Sequence, residues 1–548
     1  MKRCPTCQRI YADETLKFCR HDGAYLYEDA AQATDAPATL VRLPPASAAR
    51  DESPTELFAP DNLSGEAATS SSLTKPLAAQ GRRRRAPKTI DSLAVLPLVN
   101  ETGEPQAEYL SDGISESIIN ILSQLPRLRV VPRATAFRYR GGDVDPLAAG
   151  RGLGVRALVT GRLFTVGELL VASVELVDVA LESQIWGEQY RHKHEDIFTL
   201  QEKISQEVSE KLRPRLSGEE RRRLRRRSTE NAEAYHFYLR GRYYVNKRTT
   251  EWIEKGVAEF QRAIELDPSY ALAYAGLADA YAFLASSTGE QPPAEFYPKA
   301  EAAALRALDL DDTLAEAHTS LGFFRLLYEW DFRGAEREFK RAITLNPNYA
   351  NAHDGHSFYL KATGQHERAV AACRRARKID PLSTFAHVSL AWAHYFARDY
   401  ERAAEQNLKA LEMEPRFTFA RWNLALARAR QGRLGEAVEA LEAATEDSGG
   451  GLTFKAHLGY VYGLAGERER ALAIIAEMEE LARHRYVSAY YPAIIRLGLG
   501  EHERALELLE RAREERSAFL VFLKVEPLLD PLRADPRFKA LERRLGPA

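Results

Sequence analysis

The sequence predicts a multidomain chain: a small cysteine-bearing knuckle and a disordered linker, then an α/β mixed-sheet domain and an all-α solenoid. Three observations indicate this. Cysteines cluster in the first nineteen residues, apolar runs of strand length begin after residue 89, and small residues recur every thirty-four residues in the second half. A chain of 548 residues is also longer than one hydrophobic core usually supports. The predicted segments are residues 1–26, 27–88, 89–213, 214–234, 235–515 and 516–548.

The composition narrows the function classes before any motif is considered. The net charge is −2 with 28% charged residues, so the chain as a whole does not have the charge of a polyanion-binding protein. Four cysteines are too few for a disulfide framework, which favours a reducing compartment. The first residues lack the apolar region of a signal peptide, and no window has the eighteen or so apolar residues that span a bilayer. We therefore expect a cytoplasmic protein without a membrane span.

The first 26 residues have the cysteine spacing of a metal site. Cys4 and Cys7 flank a two-residue knuckle that directs both thiolates at one ion, and Cys19 offers a third sulfur. His21 and Asp22 are both within reach as the fourth ligand, and only Asp22 repeats the three-residue step from Cys4 to Cys7. Four protein ligands predict a structural Zn²⁺ that holds together a segment too short to fold alone.

Residues 27–88 predict a flexible linker, because they are rich in Ala, Pro, Ser, Thr and Asp and poor in large apolar residues. The linker ends in four consecutive arginines, Arg82 to Arg85, and a second basic run occupies the predicted linker helix at 214–234. We interpret both basic runs as parts of solvent-exposed connecting segments. Phosphate contacts to nucleic acid are the alternative interpretation.

Residues 89–213 predict a mixed sheet with helices packed on it. "SLAVLPLV" is a buried strand, and "AEYLSDGISESIINILSQL" is a helix that places Ile114, Ile118 and Leu122 on one face. Two alternating runs around Gly167 predict a hairpin, and an edge strand and an amphipathic helix close the domain. Asp91 to Arg213 resembles the TolB-like amino-terminal domain of bacterial signalling proteins. The resemblance implies a non-enzymatic module, and small-ligand sensing near "YLSDGISE" is an alternative.

The head also resembles a family. CPxC followed by FCxxDG is similar to the zinc-ribbon-like heads of other bacterial signalling proteins, in which the aspartate step recurs and the residue at the position of His21 varies. This resemblance implies that Cys4, Cys7, Cys19 and Asp22 bind the zinc ion. His21 is the alternative fourth ligand, because imidazole is ordinarily a better zinc ligand than a single carboxylate.

Residues 235–515 predict about eight helix pairs. The repeat is marked by small residues at thirty-four-residue steps: Ala335, Ala369, Ala403, Ala437, Ala471 and Ala505. Pro347, Pro381 and Pro415 keep the same step just beyond a helix, where proline cannot continue it. This array resembles the tetratricopeptide repeat, and we expect the closing residues 516–548 to cap its last apolar face.

The repeat resemblance also implies a binding site. In that family, repeat positions 2, 5, 9, 12 and 13 of the first helices face a concave groove. Here those positions bring together Phe385, Trp392, Tyr395, Phe396, Phe419, Trp422, Tyr460 and Tyr490. An aromatic groove of this kind binds extended or helical peptides, and packing of the rings between neighbouring helices is the competing interpretation.

The sequence predicts no catalytic residues. A phosphate loop of the form GxxxxGK[ST], a GxSxG elbow and an HExxH pair are all missing from it. The sequence therefore predicts a non-enzymatic scaffold in bacterial signalling that binds other proteins or peptides. The alternatives are a nucleic-acid-associated transcriptional regulator and a small-ligand sensor.

Overall fold

The computed structural model describes the chain in two compact units, residues 1–82 and 83–548. The described residues are three two-residue strands within the first 28 residues and the ranges 90–104, 107–125, 128–166, 169–193, 197–212, 229–247, 249–286 and 291–545.

The first unit contains a small antiparallel sheet. Its central strand β1 (Lys2–Arg3) pairs with β2 (Ile10–Tyr11) on one side and with β3 (Tyr27–Glu28) on the other. The predicted zinc ligands Cys4, Cys7, Cys19, Asp22 and the alternative His21 lie outside the described residues. The zinc site therefore stays a prediction.

The second unit begins with the mixed sheet that the sequence predicts. The strands are β4 (Ser92–Val95), β5 (Val99–Asn100), β6 (Arg129–Val130), β7 (Ala157–Val166), β8 (Leu169–Asp178) and β9 (Ser183–Lys193). Their order is β6-β4-β7-β8-β9, with β5 also paired to β7. β4 runs parallel to β6 and β7, whereas β7, β8 and β9 are antiparallel neighbours. The predicted hairpin is present, because Val166 and Leu169 form the terminal pair of β7 and β8.

Four helices cover both faces of this sheet: α1 (Glu108–Ser123), α2 (Arg133–Ala136), α3 (Pro146–Gly152) and α4 (Ile197–Leu212). Leu93 and Val95 pack in one cluster with α1 and α4, and Ala94 and Leu96 pack in another with α2 and α3. This is why the "SLAV" strand is buried throughout: alternate side chains enter two different apolar layers. The predicted face of α1 is buried, with Ile114, Ile118 and Leu122 fully inaccessible.

A helical solenoid follows, with eight consecutive helix pairs in the described part of residues 229–545. They are pair 1 (Ala232–Val245, Thr250–Leu266), pair 2 (Ala271–Ser286, Pro293–Leu310), pair 3 (Ala315–Phe324, Phe332–Leu345), pair 4 (Ala350–Ala362, His366–Ile379), pair 5 (Thr384–Phe396, Tyr400–Met413), pair 6 (Thr418–Arg430, Leu434–Asp447), pair 7 (Leu452–Leu464, Arg468–Leu481) and pair 8 (Tyr490–Gly498, His502–Glu514). The first helix of pair 3 continues into a π turn, Arg325–Glu329.

The thirty-four-residue spacing has a direct structural reason. The six alanines that mark the repeat, from Ala335 to Ala505, are all fully buried near the start of the second helices. A larger side chain there would separate the packed helices, and such overpacking typically costs about 1–3 kcal/mol. The small-residue pattern therefore predicts helix packing correctly.

The chain ends in two 3₁₀ turns, Ala518–Phe522 and Pro527–Leu532, and a helix, Pro536–Leu545. Phe538, Leu541 and Leu545 of that helix belong to the apolar cluster that also holds pair 8. Residues 516–533, here called the tail, instead cross back over the first helices of earlier pairs. Among the helices of the described ranges, none is both long enough and apolar enough to cross a membrane.

Candidate functional site

Seven of the eight predicted groove residues fall into two groups that differ in what covers them. The open patch consists of Phe385, Trp392 and Phe419, and its side chains reach the surface of the first helices of pairs 5 and 6. The covered cluster consists of Tyr395, Phe396, Tyr460 and Tyr490, and all four are buried within the chain.

The open patch is an aromatic surface. Phe385 is 48% exposed and Phe419 is 38% exposed, although both are large apolar side chains. They are the second residues of successive first helices, so the repeat places them at equivalent points. Trp392 is half-buried and meets Trp422 edge-on, with ring centroids 4.9 Å apart.

Trp422 lies beneath this patch rather than on it. It is 7% exposed, and its ring packs against Phe419, Phe454 and His457 at centroid distances of 6.1, 5.9 and 4.9 Å. Burial lowers the pKa of His457 to about 4, so its imidazole is neutral, and Nδ1–H donates to the Thr453 carbonyl over 2.7 Å. Trp422 therefore supports the patch from beneath, which agrees with the interpretation that some of these rings pack between neighbouring helices.

Three of the four residues of the covered cluster contact the tail. The Tyr395 hydroxyl donates a 2.9 Å hydrogen bond to Glu526, and Phe396 stacks on Phe522 with centroids 4.7 Å apart. Tyr490 stacks on Phe519 at 5.0 Å. A partner therefore does not reach these rings while the tail is in place. Tyr460, at 2% exposure, is equally inaccessible.

Two arginines complete this surface. Arg398 donates to the Val525 carbonyl over 2.8 Å and pairs with Asp530 at 2.7 Å, and Arg430 lies 3.6 Å from the same carboxylate. Sequence reasoning did not single them out, because their partners lie about a hundred residues or more away. One signal does exist. Arg398 stands where Gly364, Gly432, Gly466 and Gly500 keep the thirty-four-residue step.

Burial also raises the pKa of a carboxyl group of the tail itself. Glu526 is 6% exposed, and desolvation raises its pKa from 4.5 to about 7, although Tyr395, Arg398 and the Leu528 amide favour the charged form. A proton on Glu526 is thus exchanged near neutrality, at the centre of the contact between tail and solenoid.

The segment "YLSDGISE" is part of a contact between the sheet domain and the solenoid. Glu116 accepts hydrogen bonds from Arg242 and Asn246 of the pair 1 hairpin, each at 3.0 Å, and pairs with Arg133 at 2.9 Å. Burial alone raises the pKa of Glu116, but the two guanidiniums outweigh it and lower the pKa below its usual value. Gly113 leaves room for Leu239, since a Cβ there would approach within 2.8 Å. These residues hold α1 against pair 1, and small-ligand sensing near this segment stays a prediction.

A polar cleft of about 490 Å³ lies between β9 and α4, away from "YLSDGISE". It is lined by Glu188, Gln189, Tyr190, Arg191, His192, Lys203, Gln206 and Glu207. In the described ranges, no group of three or more His, Cys, Asp or Glu side chains is placed to hold a metal ion.

Comparisons with known proteins agree with this division of the second unit. Residues 388–451 match the family model described as "Tetratricopeptide repeat", and residues 88–207 match "HilA/YgeH-like transcriptional regulator, second domain". A curated relative, "Putative adenylate cyclase 3" of Rhizobium meliloti (strain 1021), is 30% identical over 249 residues, which is 45% of this chain. The chain spans 42% of the length of that relative. The TolB-like assignment of the sheet domain stays a prediction.

Solved structures with similar repeats include "YrrB: a TPR protein with an unusual peptide-binding site", at 20% identity and a TM-score of 0.25 over 34% of this chain and 91% of that one. Another is a thermophilic TPR protein of Thermus thermophilus, at 17% identity and a TM-score of 0.31 over 36% and 99%. The APC/C hetero-tetramer Cut9–Hcn1 is 15% identical with a TM-score of 0.40 over 64% and 63%. Residues 388–451 thus match the tetratricopeptide repeat, and the eight helix pairs around them form a solenoid of the same helix-pair type.

Proposed function

We propose that the chain is a non-enzymatic scaffold that binds partner proteins through the open patch. The observation that carries this proposal is the exposure of Phe385 and Phe419 at equivalent points of neighbouring repeats. Exposed aromatic side chains that lie together are typical of interaction surfaces, because burying them on binding removes apolar area from water. The partner is a peptide segment whose apolar side chains pack against these two rings and Trp392.

The experiment compares two sets of exposed apolar residues in the full chain. Phe385→Ala/Phe419→Ala removes the two exposed rings of the patch. Leu408→Ala is the matched control, because Leu408 is 43% exposed in pair 5 but lies on its second helix. We expect proteins captured by the wild type and by Leu408→Ala to be lost from the double variant. Equal capture by all three folded proteins would exclude the open patch as the binding surface.

These residues are a better choice than the two tryptophans. Trp422 is buried, and replacing a buried tryptophan with alanine typically costs about 3–5 kcal/mol of stability. A loss of binding in Trp392→Ala/Trp422→Ala would therefore mix a packing defect with the loss of contact. Phe385 and Phe419 separate the two effects.

The bacterial signalling context belongs to this proposal. It is supported by the resemblance of the head and sheet domain to bacterial signalling proteins and by the bacterial relative named a putative adenylate cyclase. Cytoplasmic location is proposed on the same basis, together with a cysteine count too low for a disulfide framework. Fractionation of the source cells, with the chain followed by antibody, tests the location.

A transcriptional regulator is the second candidate function, because residues 88–207 match a family model of that description. In this case the basic runs would contact nucleic acid, and Arg82 to Arg85 are the residues to neutralise. Retention of the wild type on nucleic acid that weakens with salt, and that is lost in the neutralised variant, would favour this function. Equal and weak retention of both proteins would exclude it.

We also propose a structural Zn²⁺ in the head, held by Cys4, Cys7, Cys19 and Asp22. Three thiolates and one further ligand suit zinc, whose structural sites are four-coordinate. Metal analysis of Asp22→Ala and His21→Ala distinguishes the fourth ligand. We expect zinc to be lost from Asp22→Ala and kept by His21→Ala. Full retention of zinc by Asp22→Ala would exclude Asp22 as the fourth ligand and favour His21.

A further inference from the structure

The tail contacts both halves of the solenoid with aromatic rings. Phe522 lies between Phe358 of pair 4 and Phe396 of pair 5, at centroid distances of 4.6 and 4.7 Å. Phe519, three residues earlier, stacks on Tyr490 of pair 8. The same short segment therefore touches both the middle and the end of the repeat array.

Acidic side chains of the tail meet complementary groups on the first helices. Glu526 accepts the Tyr395 hydroxyl, and Asp530 pairs with Arg398 and Arg430. The tail thus offers an aromatic ring, a carboxyl four residues later and a second carboxyl four residues after that. Apolar side chains between them are buried, with Leu528 fully inaccessible.

Backbone conformation gives independent evidence that the tail is recognised. In pairs 3 to 8, one position at the end of the first helix has positive φ, and it is glycine in four of these six pairs: Gly364, Gly432, Gly466 and Gly500. The exceptions are Trp330, with φ 59°, and Arg398, with φ 64°. A non-glycine residue in this conformation carries strain. Both exceptions contact the tail: Arg398 binds Val525 and Asp530, and Arg516 lies over the Trp330 ring at 4.7 Å.

We infer that the tail, residues 516–533, is an intrachain ligand of the solenoid, and that a partner segment of the same chemistry competes with it for the covered cluster. That partner carries an aromatic ring followed by two carboxylates at four-residue steps. This inference rests on the proposed peptide-binding role of the first helices. The covered cluster would then be a second binding surface, which the tail occupies. The residues of the tail indicate which ligand chemistry this surface accepts.

A covalently linked ligand is present at high effective concentration, so a free competitor binds weakly until the tail is loosened. The probe is a fluorescein-labelled synthetic peptide of residues 516–533, and its anisotropy is measured with full-length proteins. Phe522→Ala/Asp530→Ala loosens the tail while leaving the first helices unchanged. Lys524→Ala is the matched control, because Lys524 is the exposed residue between the anchoring ones.

We expect the peptide to bind Phe522→Ala/Asp530→Ala about tenfold or more tighter than it binds the wild type or Lys524→Ala. Adding Arg398→Gly to the loosened chain should reduce this gain. Glycine is the residue that four other repeats carry there, so the substitution suits the backbone and removes only the contact. Equal affinity for all these proteins would overturn the inference.

A measurement on the unmodified chain covers the case in which the loosened variant does not fold. Hydrogen exchange compares the amides of Leu523 and Val525, which bond within the tail, with helix amides of pair 5. The inference predicts that tail amides exchange faster than the helix amides, and faster still with excess unlabelled peptide. Tail amides that exchange as slowly as the helix, with or without peptide, would contradict it.

The outcome is separable from that of the proposed function. Phe385 and Phe419 do not contact the tail through any ring pair of the described structure, so their replacement should leave peptide binding to the loosened chain unchanged. Peptide binding by the loosened chain, together with equal capture of proteins by the wild type and Phe385→Ala/Phe419→Ala, would leave the inference intact and remove the proposed function. The reverse result would remove the inference alone.

Discussion

The open patch and the covered cluster are made of the same kinds of side chain on the same first helices. Phe385 and Phe396 belong to one helix of 13 residues, yet the first is 48% exposed and the second 2%. Their repeat positions place both rings on the first-helix surface. Whether a ring is available is decided by the tail, which lies more than a hundred residues further along the chain.

This difference shows that the repeat position of a residue determines the helix face on which its side chain lies. Contact with a distant segment determines whether a partner can reach that side chain. Gly432 and Arg398 illustrate it with the backbone. Both occupy the same repeat position with positive φ, but only Arg398 has a side chain, and that side chain binds the tail. Departures from the repeat pattern therefore mark the places where the array contacts something other than its neighbours.

The largest expected effect separates the two phenylalanines of pair 5. Phe396→Ala should lower the free energy of unfolding by about 3–5 kcal/mol, because it leaves a cavity between Tyr395 and Phe522. Phe385→Ala, the matched control, should change it by less than about 0.5 kcal/mol. Urea unfolding followed by circular dichroism measures both. Similar losses would mean that the two rings are not differently covered.

Protonation of Glu526 should give the next largest effect. Its pKa is raised from 4.5 to about 7, so the folded chain holds this proton over a range where the unfolded chain has lost it. The contribution is fully present below pH 4.5 and is lost as the pH rises to about 7, by on the order of 3 kcal/mol. Glu526→Gln should remove this loss.

The comparison of wild type with Glu526→Gln is needed, since two histidines, one half-buried and one buried, titrate in the opposite sense. The pKa values of His356 and His457 are lowered to about 4, so their contribution is lost as the pH falls. Both proteins share these histidines. A difference in stability that is constant between pH 4.5 and 7.5 would contradict the assignment to Glu526.

A smaller effect is expected at the repeat position with positive φ that Gly432 and Arg398 occupy. A Cβ at Gly432 would meet nothing within 4 Å, so Gly432→Ala should cost only the backbone term, about 1–2 kcal/mol. Gly435 has equally open surroundings but helical backbone, and Gly435→Ala should stabilise the chain by about 0.5–1 kcal/mol. Thermal unfolding of both variants measures the difference. Effects of the same sign would rule out strain at this position.

The smallest effect is expected at the ion pair on the rim of the tail. Asp530 and Arg398 are 29% and 39% exposed, so water screens their attraction. Asp530→Asn should therefore lower stability by no more than about 1 kcal/mol, and by less at high salt. A loss that is both larger and independent of salt would place this pair in the buried core of the contact.

Sequence patterns predicted the repeats and the mixed sheet, because the alternation of apolar residues and the thirty-four-residue period are visible in the residue types at fixed spacings. The site could be predicted only in part. Repeat positions located Phe385, Trp392 and Phe419, but they also included rings that the tail covers. Long-range contacts such as Tyr395 with Glu526 and Arg242 with Glu116 join residues more than a hundred apart without any periodic signal.

The most direct test of this account is hydroxyl-radical footprinting of the full chain, read by mass spectrometry for each aromatic side chain. Phe385 and Phe419 should be oxidised several times faster than Tyr395, Phe396 and Tyr490, and a bound partner should protect the first two. Loosening the tail with Phe522→Ala/Asp530→Ala should expose Tyr395 and Phe396. Oxidation of Tyr395 and Phe396 in the wild type as fast as that of Phe385 would contradict the account.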